Sequence, residues 1–324
     1  MGMRYRKVGK WGLQVSEIAL GAWASFGDCV KDVGEVKKIV CLAYESGVNF
    51  FDNADTYANG CAEELMGSVL AEYPRSTLVL ASKAGWPVSG CPNSQGLSRK
   101  HLRASLQASL QRLRTDYLDI YFAHRHDPDV PLEEIVTTMS AFVDQGLILY
   151  WGTSEWPVAR LAGACEFARA NGLHPPICEQ VDYSILYRKR WENTLAPEAE
   201  PLGLGLMATS PLAMGVLTGK YDDGIPPGSR LARHKVLKEA LLTPHNLARV
   251  RELAAVAAEH GMTRAQLALA WVLRRKELSC AIVGATGIGQ LQENLGAAGV
   301  VLAPEAVAQI ERIIGGKSST ASTT

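Results

Sequence analysis

Residues 118–153 read LDIYFAHRHDPDVPLEEIVTTMSAFVDQGLILYWGT, and this stretch contains the pattern that decides the fold. An apolar strand-like run, Leu118–Ala123, precedes a run of helical period, Leu132–Gln145, and a second strand-like run, Ile148–Thr153, follows. Strands that alternate with helices are typical of α/β proteins. The stretch therefore predicts one repeat of an α/β fold.

The same alternation continues over the rest of the chain. Eight strand-like runs can be recognised: Glu17–Ala22, Asn49–Asn53, Leu78–Ser82, Leu118–Ala123, Ile148–Thr153, Ile177–Asp182, Gly205–Thr209 and Cys280–Val283. A helical run follows each of them, and eight such units predict a (β/α)8 TIM barrel.

Several segments do not fit the regular repeat. Arg4–Ile18 is expected to form an N-terminal β-hairpin that seals the barrel bottom, and Ala303–Gly315 an accessory C-terminal helix. Asn246–Arg274 is too long for one barrel helix, and a break is expected at Gly261. Met214–Thr243 is rich in Gly, Pro and charge and is expected to be a long functional loop. We expect a single domain over residues 1–316 and a disordered tail over 317–324.

Composition excludes several classes of protein. The chain has 324 residues, of which 47% are hydrophobic and 20% charged, so a large core can form. Lys plus Arg (33) balances Asp plus Glu (33), so the net charge is zero and there is no basic excess. Neither nucleic acid nor an anionic membrane surface is therefore expected as a partner.

Cysteine usage and the N-terminus indicate a cytoplasmic protein. The seven cysteines are scattered, without a CxxC pair, which favours reduced thiols over disulfides or a zinc site. The stretch MGMRYRKVGKWG has no apolar core of a signal peptide, and no uninterrupted apolar run is long enough to span a membrane. The sequence leaves the oligomeric state open, a homo-oligomer included.

In a TIM barrel the chemistry lies at the rim formed by the C-terminal ends of the strands. The sequence offers Asp52 and Tyr57 after the second strand-like run, Lys83 at the end of the third and His124 at the end of the fourth. A phenol, an amine, a carboxylate and an imidazole on neighbouring strands form a plausible acid–base site. Trp23, Trp86 and Trp156, at other strand ends, are candidate walls of a substrate pocket, although simple packing at the rim would also explain them.

Each candidate also has an ordinary structural interpretation. Lys83 could be a solvated strand end, Asp52 a cap of backbone amides and His124 a hydrogen-bonded core residue. Their joint placement on neighbouring strands favours function. The stretch GLGLMA at 203–208 has the spacing of a dinucleotide-binding fingerprint. That fingerprint follows a strand and begins a helix, whereas this stretch leads into a strand, so we do not interpret it as a dinucleotide site. His124 to Asp127 lacks further ligands, so no metal site is predicted.

At these residues the chain resembles the aldo-keto reductase superfamily, over nearly its whole length. The motifs that carry the resemblance are LGAWASFG, GVNFFDNADTYANG, ASKAGW, LDIYFAHRHD, YWGTSEW, PPICEQVDYS, SPLAMGVLTGKYDDGIPPGSR and IVGATGIGQLQENLGA. They are most similar to the branch of potassium-channel β-subunits and their bacterial relatives, which implies NADP(H) as cofactor. His124 stands where channel β-subunits have Asn, which favours a working reductase.

The resemblance implies a catalytic tetrad of Asp52, Tyr57, Lys83 and His124. In it Tyr57 would be the general acid for reduction of an aldehyde or ketone by NADPH, and Lys83 is expected to lower the pKa of Tyr57. It further implies cofactor contacts around the nicotinamide, the phosphates and the adenosine: Trp23, Asp52, Ser154, Gln180, Ser210, Pro211, Leu212, Ala213, Gly215, Lys220, Arg230, Gly284, Thr286, Gln290, Glu293 and Asn294. Cys29, Glu155 and Thr209 depart from the pattern of that branch.

Two other functions stay open beside that of an NADPH-dependent carbonyl reductase with a small-molecule carbonyl substrate. One is an NADP(H)-binding regulatory subunit of a partner protein with residual reductase activity. The other is an aldolase that forms a Schiff base on Lys83. The sequence does not identify the natural substrate.

Overall fold

A computed structural model describes residues 2–315, and a closed barrel of eight parallel strands lies at its centre. Two short strands form a hairpin ahead of the barrel, β1 (Tyr5–Lys7) and β2 (Gln14–Ser16). The barrel strands follow in chain order: β3 (Ile18–Gly21), β4 (Phe50–Asp52), β5 (Val79–Ala84), β6 (Leu118–Ala123), β7 (Ile148–Ser154), β8 (Cys178–Asp182), β9 (Gly205–Thr209) and β10 (Leu278–Val283). Each strand pairs with the next along the chain, and β10 pairs with β3 to close the ring. The predicted (β/α)8 TIM barrel with an N-terminal hairpin is confirmed.

Helices surround this barrel, and most connect one strand to the next. They are α1 (Val33–Glu45), α2 (Cys61–Leu70), α3 (Arg99–Leu113), α4 (Leu132–Asp144), α5 (Val158–Ala170), α6 (Ala196–Leu202), α7 (Arg230–Arg233), α8 (Lys235–Leu241), α9 (Pro244–Glu259), α10 (Arg264–Leu273), α11 (Ile288–Leu295) and α12 (Pro304–Gly315). None of the helices within residues 2–315 is both long enough and apolar enough to cross a membrane.

Two apolar layers hold the barrel together. Phe50, Phe122 and Met207 are completely buried members of the cluster that fills the barrel interior. Trp151 and Trp271, also fully buried, belong to the larger cluster between the strands and the surrounding helices. A filled interior is typical of TIM barrels and leaves the rim as the place for a site.

The hairpin lies at the end of the barrel opposite the rim. Arg6 donates Nη1 to the carbonyl oxygen of Leu278, the first residue of β10, at 3.3 Å. Gly9 has a φ of +58°, and a Cβ there would lie 2.5 Å from the carbonyl oxygen of Gly203, just before β9. Only glycine permits both the backbone conformation and this close approach. The N-terminal segment therefore packs tightly under the strands, as predicted.

The structure confirms one expected helix break and corrects one expected loop. The long helical run divides into α9 and α10, and Thr263 caps the second helix by accepting from the backbone of Gln266. The expectation of a long loop over Met214–Thr243 is wrong in part, because the segment contains a 3-10 turn, α7 and α8. Its Gly and Pro residues lie at 215–228, whereas the following sequence, RLARHKVLKEALL, permits helix. The expected tail lies outside the described residues.

Candidate active site

A buried lysine joins two of the predicted catalytic side chains at the rim. The Lys83 ammonium donates to Asp52 Oδ2 at 2.7 Å, to the carbonyl oxygen of Asn53 at 2.6 Å and to the Tyr57 hydroxyl at 3.1 Å. Lys83 is 1% exposed and Asp52 3% exposed. A buried ion pair of this kind fixes both partners, since either charge alone in the interior would be strongly unfavourable.

Strand register and one tight turn bring these groups together. β4 and β5 pair Asp52 with Ala81, so the two strands end side by side at the rim. Tyr57 opens a 3-10 turn whose next residues, Ala58 and Asn59, have φ values of +48° and +54°. The backbone N–H of Asp55 donates to the Lys83 carbonyl at 3.1 Å and ties this turn to β5. The turn formed by NADTYANG (53–60) therefore places the Tyr57 hydroxyl against the Lys83 ammonium.

The protonation of this group depends both on burial and on the charge of Lys83. Burial raises the pKa of the Tyr57 phenol, and the Lys83 ammonium opposes that rise without reversing it. Burial lowers the pKa of Lys83, but the adjacent Asp52 and Tyr57 outweigh it, so the net shift in pKa is upward. Lys83 therefore lowers the pKa of Tyr57, as expected, but burial of the hydroxyl, which the sequence does not reveal, has the larger effect and the net shift is upward. At neutral pH the group consists of an ammonium and an intact phenol.

His124 completes the cluster as a neutral imidazole. Its ring centroid lies 5.9 Å from that of Tyr57 and 6.3 Å from that of Trp86, both edge-on. Burial, followed by the charges of Lys83 and Arg125, holds the pKa of His124 well below its usual range. The Nδ1 atom is buried without a hydrogen-bond partner in the described residues. A neutral imidazole here can donate one N–H, which suits hydrogen bonding to a carbonyl oxygen.

The second oxygen of Asp52 links the tetrad to β8. Gln180 donates Nε2 to Asp52 Oδ1 at 2.7 Å, which leaves its Oε1 buried without a partner in residues 2–315. A buried amide oxygen without a donor is unfavourable. An occupant with an amide N–H₂ would satisfy it. Ser154, at the end of β7, is 4% exposed and accepts from Arg125 Nη1 at 3.1 Å.

A second part of the rim, after β9, combines a left-handed turn with a lysine. Ser210, Ala213 and Gly215 have left-handed φ values of +50°, +48° and +91°. Lys220 lies over this turn, since a Cβ on Gly215 would be 2.7 Å from the lysine Nζ. Tight turns of this kind form concave anion sites on main-chain N–H groups. Pro211 and Leu212 lie in the same turn.

Arg230 borders the same region and has no acidic partner within 4 Å in the described residues. It donates Nη2 to the Trp23 carbonyl at 3.2 Å, and its guanidinium lies 5.1 Å from the centre of the Trp23 indole. A Cβ on Gly284 would lie 3.3 Å from Arg230 Nη2, so the loop after β10 also approaches this guanidinium. An arginine without a carboxylate partner is available for a phosphate.

The remaining residues implied for the adenosine end lie in the loop after β10 and on α11. The side chain of Gln290 accepts from the backbone N–H of Thr286 at 2.9 Å. Gln290, Glu293 and Asn294 lie on α11, and Asn294 is buried. Of this set, Gly284 approaches the Arg230 guanidinium, and the others follow it in the same loop and on α11.

One predicted residue does not reach the open rim. Trp156 is completely buried, with its ring edge-on to His126 at 5.5 Å and its backbone N–H donating to Glu179 at 2.8 Å. A side chain without exposed surface cannot line an open pocket. Trp156 is therefore removed from the predicted pocket wall, whereas Trp23 (36% exposed) and Trp86 (45% exposed) stay.

The three departures from the family pattern have partners of their own. Glu155 forms an ion pair with Arg190, and Cys29 contacts the Arg233 guanidinium at 2.6 Å. Thr209 donates to Asp182 at 2.9 Å. Arg125, next to His124, also lies at this site, and no sequence signal indicates that it has no carboxylate within 4 Å.

Asp55, beside the Tyr57 turn, gives the site a pH-dependent stability. Its carboxyl is 3% exposed, and among residues 2–315 only Oδ2 has a partner, the Ser105 hydroxyl at 2.8 Å. Burial raises the pKa of Asp55 from 3.8 to about 7. Between these two values the folded protein retains a proton that the unfolded chain has lost, so stability falls as the pH rises.

We expect Asp55→Asn to remove this dependence. Between pH 5 and pH 8 the free energy of unfolding of the wild type should fall by about 2 kcal/mol more than that of the variant, since one pKa unit corresponds to ~1.4 kcal/mol. Urea denaturation at both pH values measures this. Asp116→Asn, at an exposed carboxylate, is the control, and its free energy of unfolding should change with pH by the same amount as that of the wild type. Parallel curves for Asp55→Asn and wild type would contradict the assignment.

Comparison with known proteins agrees with this arrangement. The sequence model of the Aldo/keto reductase family matches residues 17–315. A protein of Oryza sativa subsp. japonica named "Probable voltage-gated potassium channel subunit beta" is 42% identical, over 97% of this chain and 98% of its own length. A protein of Arabidopsis thaliana with the same name is 43% identical over the same shares. On its barrel, its motifs and these matches, the chain belongs to the aldo/keto reductase family.

Proposed function

We propose that the protein is an NADPH-dependent reductase that converts an aldehyde or ketone into an alcohol. The observation that supports this most is the buried chain from Asp52 through Lys83 to the Tyr57 hydroxyl, with a neutral His124 beside it. This arrangement presents two hydrogen-bond donors to one carbonyl oxygen and holds a fixed positive charge behind the phenol. A carbonyl oxygen that gains negative charge during reduction needs such an environment.

When bound, the nicotinamide cofactor supplies the hydride. Tyr57 donates its hydroxyl proton to the substrate oxygen, and Lys83 stabilises the phenolate that is left. Asp52 keeps Lys83 charged and in place, and His124 orients the oxygen through its N–H. Because burial raises the pKa of Tyr57, the phenol keeps its proton at neutral pH until charge develops on the substrate. Positioned acid catalysis of this kind contributes roughly 10²–10⁴-fold.

The residues fit a dinucleotide with a 2′-phosphate. The unpartnered Gln180 Oε1 would accept from the carboxamide, Ser154 would lie beside it, and the Ser210–Gly215 turn with Lys220 would hold the diphosphate. Arg230, which has no acidic partner within residues 2–315, would hold the 2′-phosphate. Gly284, Thr286, Gln290, Glu293 and Asn294 would hold the adenosine.

A panel of aldehydes, assayed by the loss of reduced nicotinamide, tests the activity. We expect turnover with NADPH that disappears in Tyr57→Phe. Tight NADPH binding without turnover of any member of the panel would contradict the reductase assignment.

We expect Arg230→Ala to weaken NADPH binding by roughly tenfold or more, since a hydrogen bond to a charged group contributes ~1.5–3 kcal/mol. NADH binding should change little, because NADH has no 2′-phosphate. Quenching of tryptophan fluorescence by each cofactor gives both dissociation constants. Arg233→Ala is the matched control, because Arg233 contacts Cys29 on the same surface. Equal losses for both cofactors in Arg230→Ala would mean that Arg230 only supports the loop.

The names of the two relatives support a second candidate, an NADP(H)-binding subunit of a potassium channel. His124 and the complete tetrad favour the reductase, and the two functions are compatible in one chain. If the wild type and a variant that lacks Tyr57 both co-purify with a potassium channel, that result would support the second role. A Schiff-base aldolase is disfavoured, because the raised pKa of Lys83 keeps its amine protonated and not nucleophilic.

A further inference from the structure

Arg125 places a positive charge beside the tetrad. It follows His124 at the end of β6, and its guanidinium lies 5.4 Å from the centre of the Trp86 indole. Trp86 in turn lies edge-on to His124, whose ring contacts that of Tyr57. Arg125 therefore lies on the wall where the substrate carbonyl would meet its proton donor.

The hydrogen bonds of Arg125 leave part of the guanidinium available. Nη1 donates to the His124 carbonyl at 2.7 Å and to the Ser154 hydroxyl at 3.1 Å. Within residues 2–315, Nε and Nη2 have no hydrogen-bond acceptor, and no carboxylate lies within 4 Å of the guanidinium. A guanidinium offers five N–H donors, and an adjacent pair of them matches the two oxygens of one carboxylate.

The nearest acidic groups do not neutralise this charge. Glu179 is buried, and burial raises its pKa to about 8, so it is mostly uncharged at neutral pH. Its carboxyl accepts from Thr153 and from the Trp156 backbone. Asp182 is exposed and accepts from Thr209 at 2.9 Å. Asp182 attracts Arg125 only from beyond 4 Å. A half-buried cation without a carboxylate in direct contact, beside the proposed substrate site, favours an anionic ligand.

We propose that Arg125 selects carbonyl substrates that carry a carboxylate, which it binds while Tyr57 and His124 hold the carbonyl oxygen. This inference rests on the proposed reductase function and adds to it the chemical class of the substrate. A single guanidinium matches the single charge of a carboxylate, whereas a phosphate dianion would call for a second cation at the same place.

The test compares formylbenzoates with the uncharged formylbenzamides of the same shape. The ortho, meta and para isomers vary the distance between the carbonyl and the acidic group. For the isomer that fits best, we expect wild type to show at least about a tenfold lower KM for the acid than for the amide. In Arg125→Gln the KM of the acid should rise by roughly 10- to 100-fold, as loss of a charged hydrogen bond predicts, with little change for the amide.

Three results would separate this role from others. Arg125→Lys should keep part of the preference for the acid, and Arg103→Gln, at an exposed arginine on α3, should keep all of it. If Arg125→Gln raises the KM of the acid and the KM of the amide by the same factor, Arg125 only positions His124 and Ser154, and the inference is wrong. If no aldehyde is reduced, binding of benzoate and benzamide, followed by tryptophan fluorescence, decides independently. Arg125-dependent binding of benzoate would support the subsite although the proposed function fails, and its absence would overturn the subsite.

Discussion

Replacement of Tyr57 by Phe is expected to lower the turnover of an aldehyde by at least ~10²-fold and to leave NADPH binding unchanged. The change removes only the hydroxyl, which accepts a hydrogen bond from the Lys83 ammonium at 3.1 Å, and keeps the ring, whose centre lies 4.8 Å from the same ammonium. Without it no phenol can protonate the substrate oxygen, and the nearby neutral His124 has little tendency to act as an acid. Single-turnover kinetics and cofactor titration by fluorescence measure the two quantities separately.

Tyr121→Phe is the matched control for this variant. Tyr121 lies in β6, beside the same site, and its hydroxyl donates to the carbonyl oxygen of Leu102 at 3.3 Å. Loss of that buried hydroxyl should reduce stability by about 1 kcal/mol and leave turnover within a factor of a few. Near-normal turnover of Tyr57→Phe, with Tyr121→Phe unchanged, would mean that another group donates the proton.

The sequence predicts the grouping of the tetrad because TIM barrels follow a simple rule. Parallel strands end at one rim, so Asp52, Lys83 and His124 could be assigned to neighbouring strand ends by counting alternating segments. Tyr57 comes from a turn with left-handed residues, and there only the resemblance to a known family indicated its role. Strand and helix positions follow from periodicity, which is why β6 and β9 have the predicted bounds.

Properties that depend on burial could not be obtained in this way. The sign of the Tyr57 pKa shift depends on desolvation of its hydroxyl, which no spacing reveals. The burial of Trp156 depends on how His126 and Glu179 pack around it, so its position at a strand end was misleading. Whether a carboxylate reaches the Arg125 guanidinium depends on the positions of Glu179 and Asp182, residues on another strand. Such features require side-chain positions relative to solvent.

Lys83→Met is expected to reduce both activity and stability. The substitution removes the charge that stabilises the Tyr57 phenolate, so turnover should fall by at least ~10²-fold. It also leaves Asp52, which is 3% exposed, as a buried carboxylate that only Gln180 still contacts through a side chain. Loss of one partner from a buried ion pair typically lowers stability by ~3–5 kcal/mol, and urea denaturation should show a decrease of that order.

A double variant separates these two effects. In Lys83→Met combined with Asp52→Asn, the amide keeps an oxygen that can accept from Gln180, and no buried charge is left without a partner. Because a neutral pair in place of a buried ion pair is often close to neutral for stability, most of the lost free energy of unfolding should return. Turnover should stay at the level of Lys83→Met, since the phenolate still has no cation beside it. If turnover returned together with stability, the lysine would only support the fold of the rim. Recovery of stability alone would show that the Lys83 charge acts on the Tyr57 hydroxyl and that Asp52 serves to hold that charge in place.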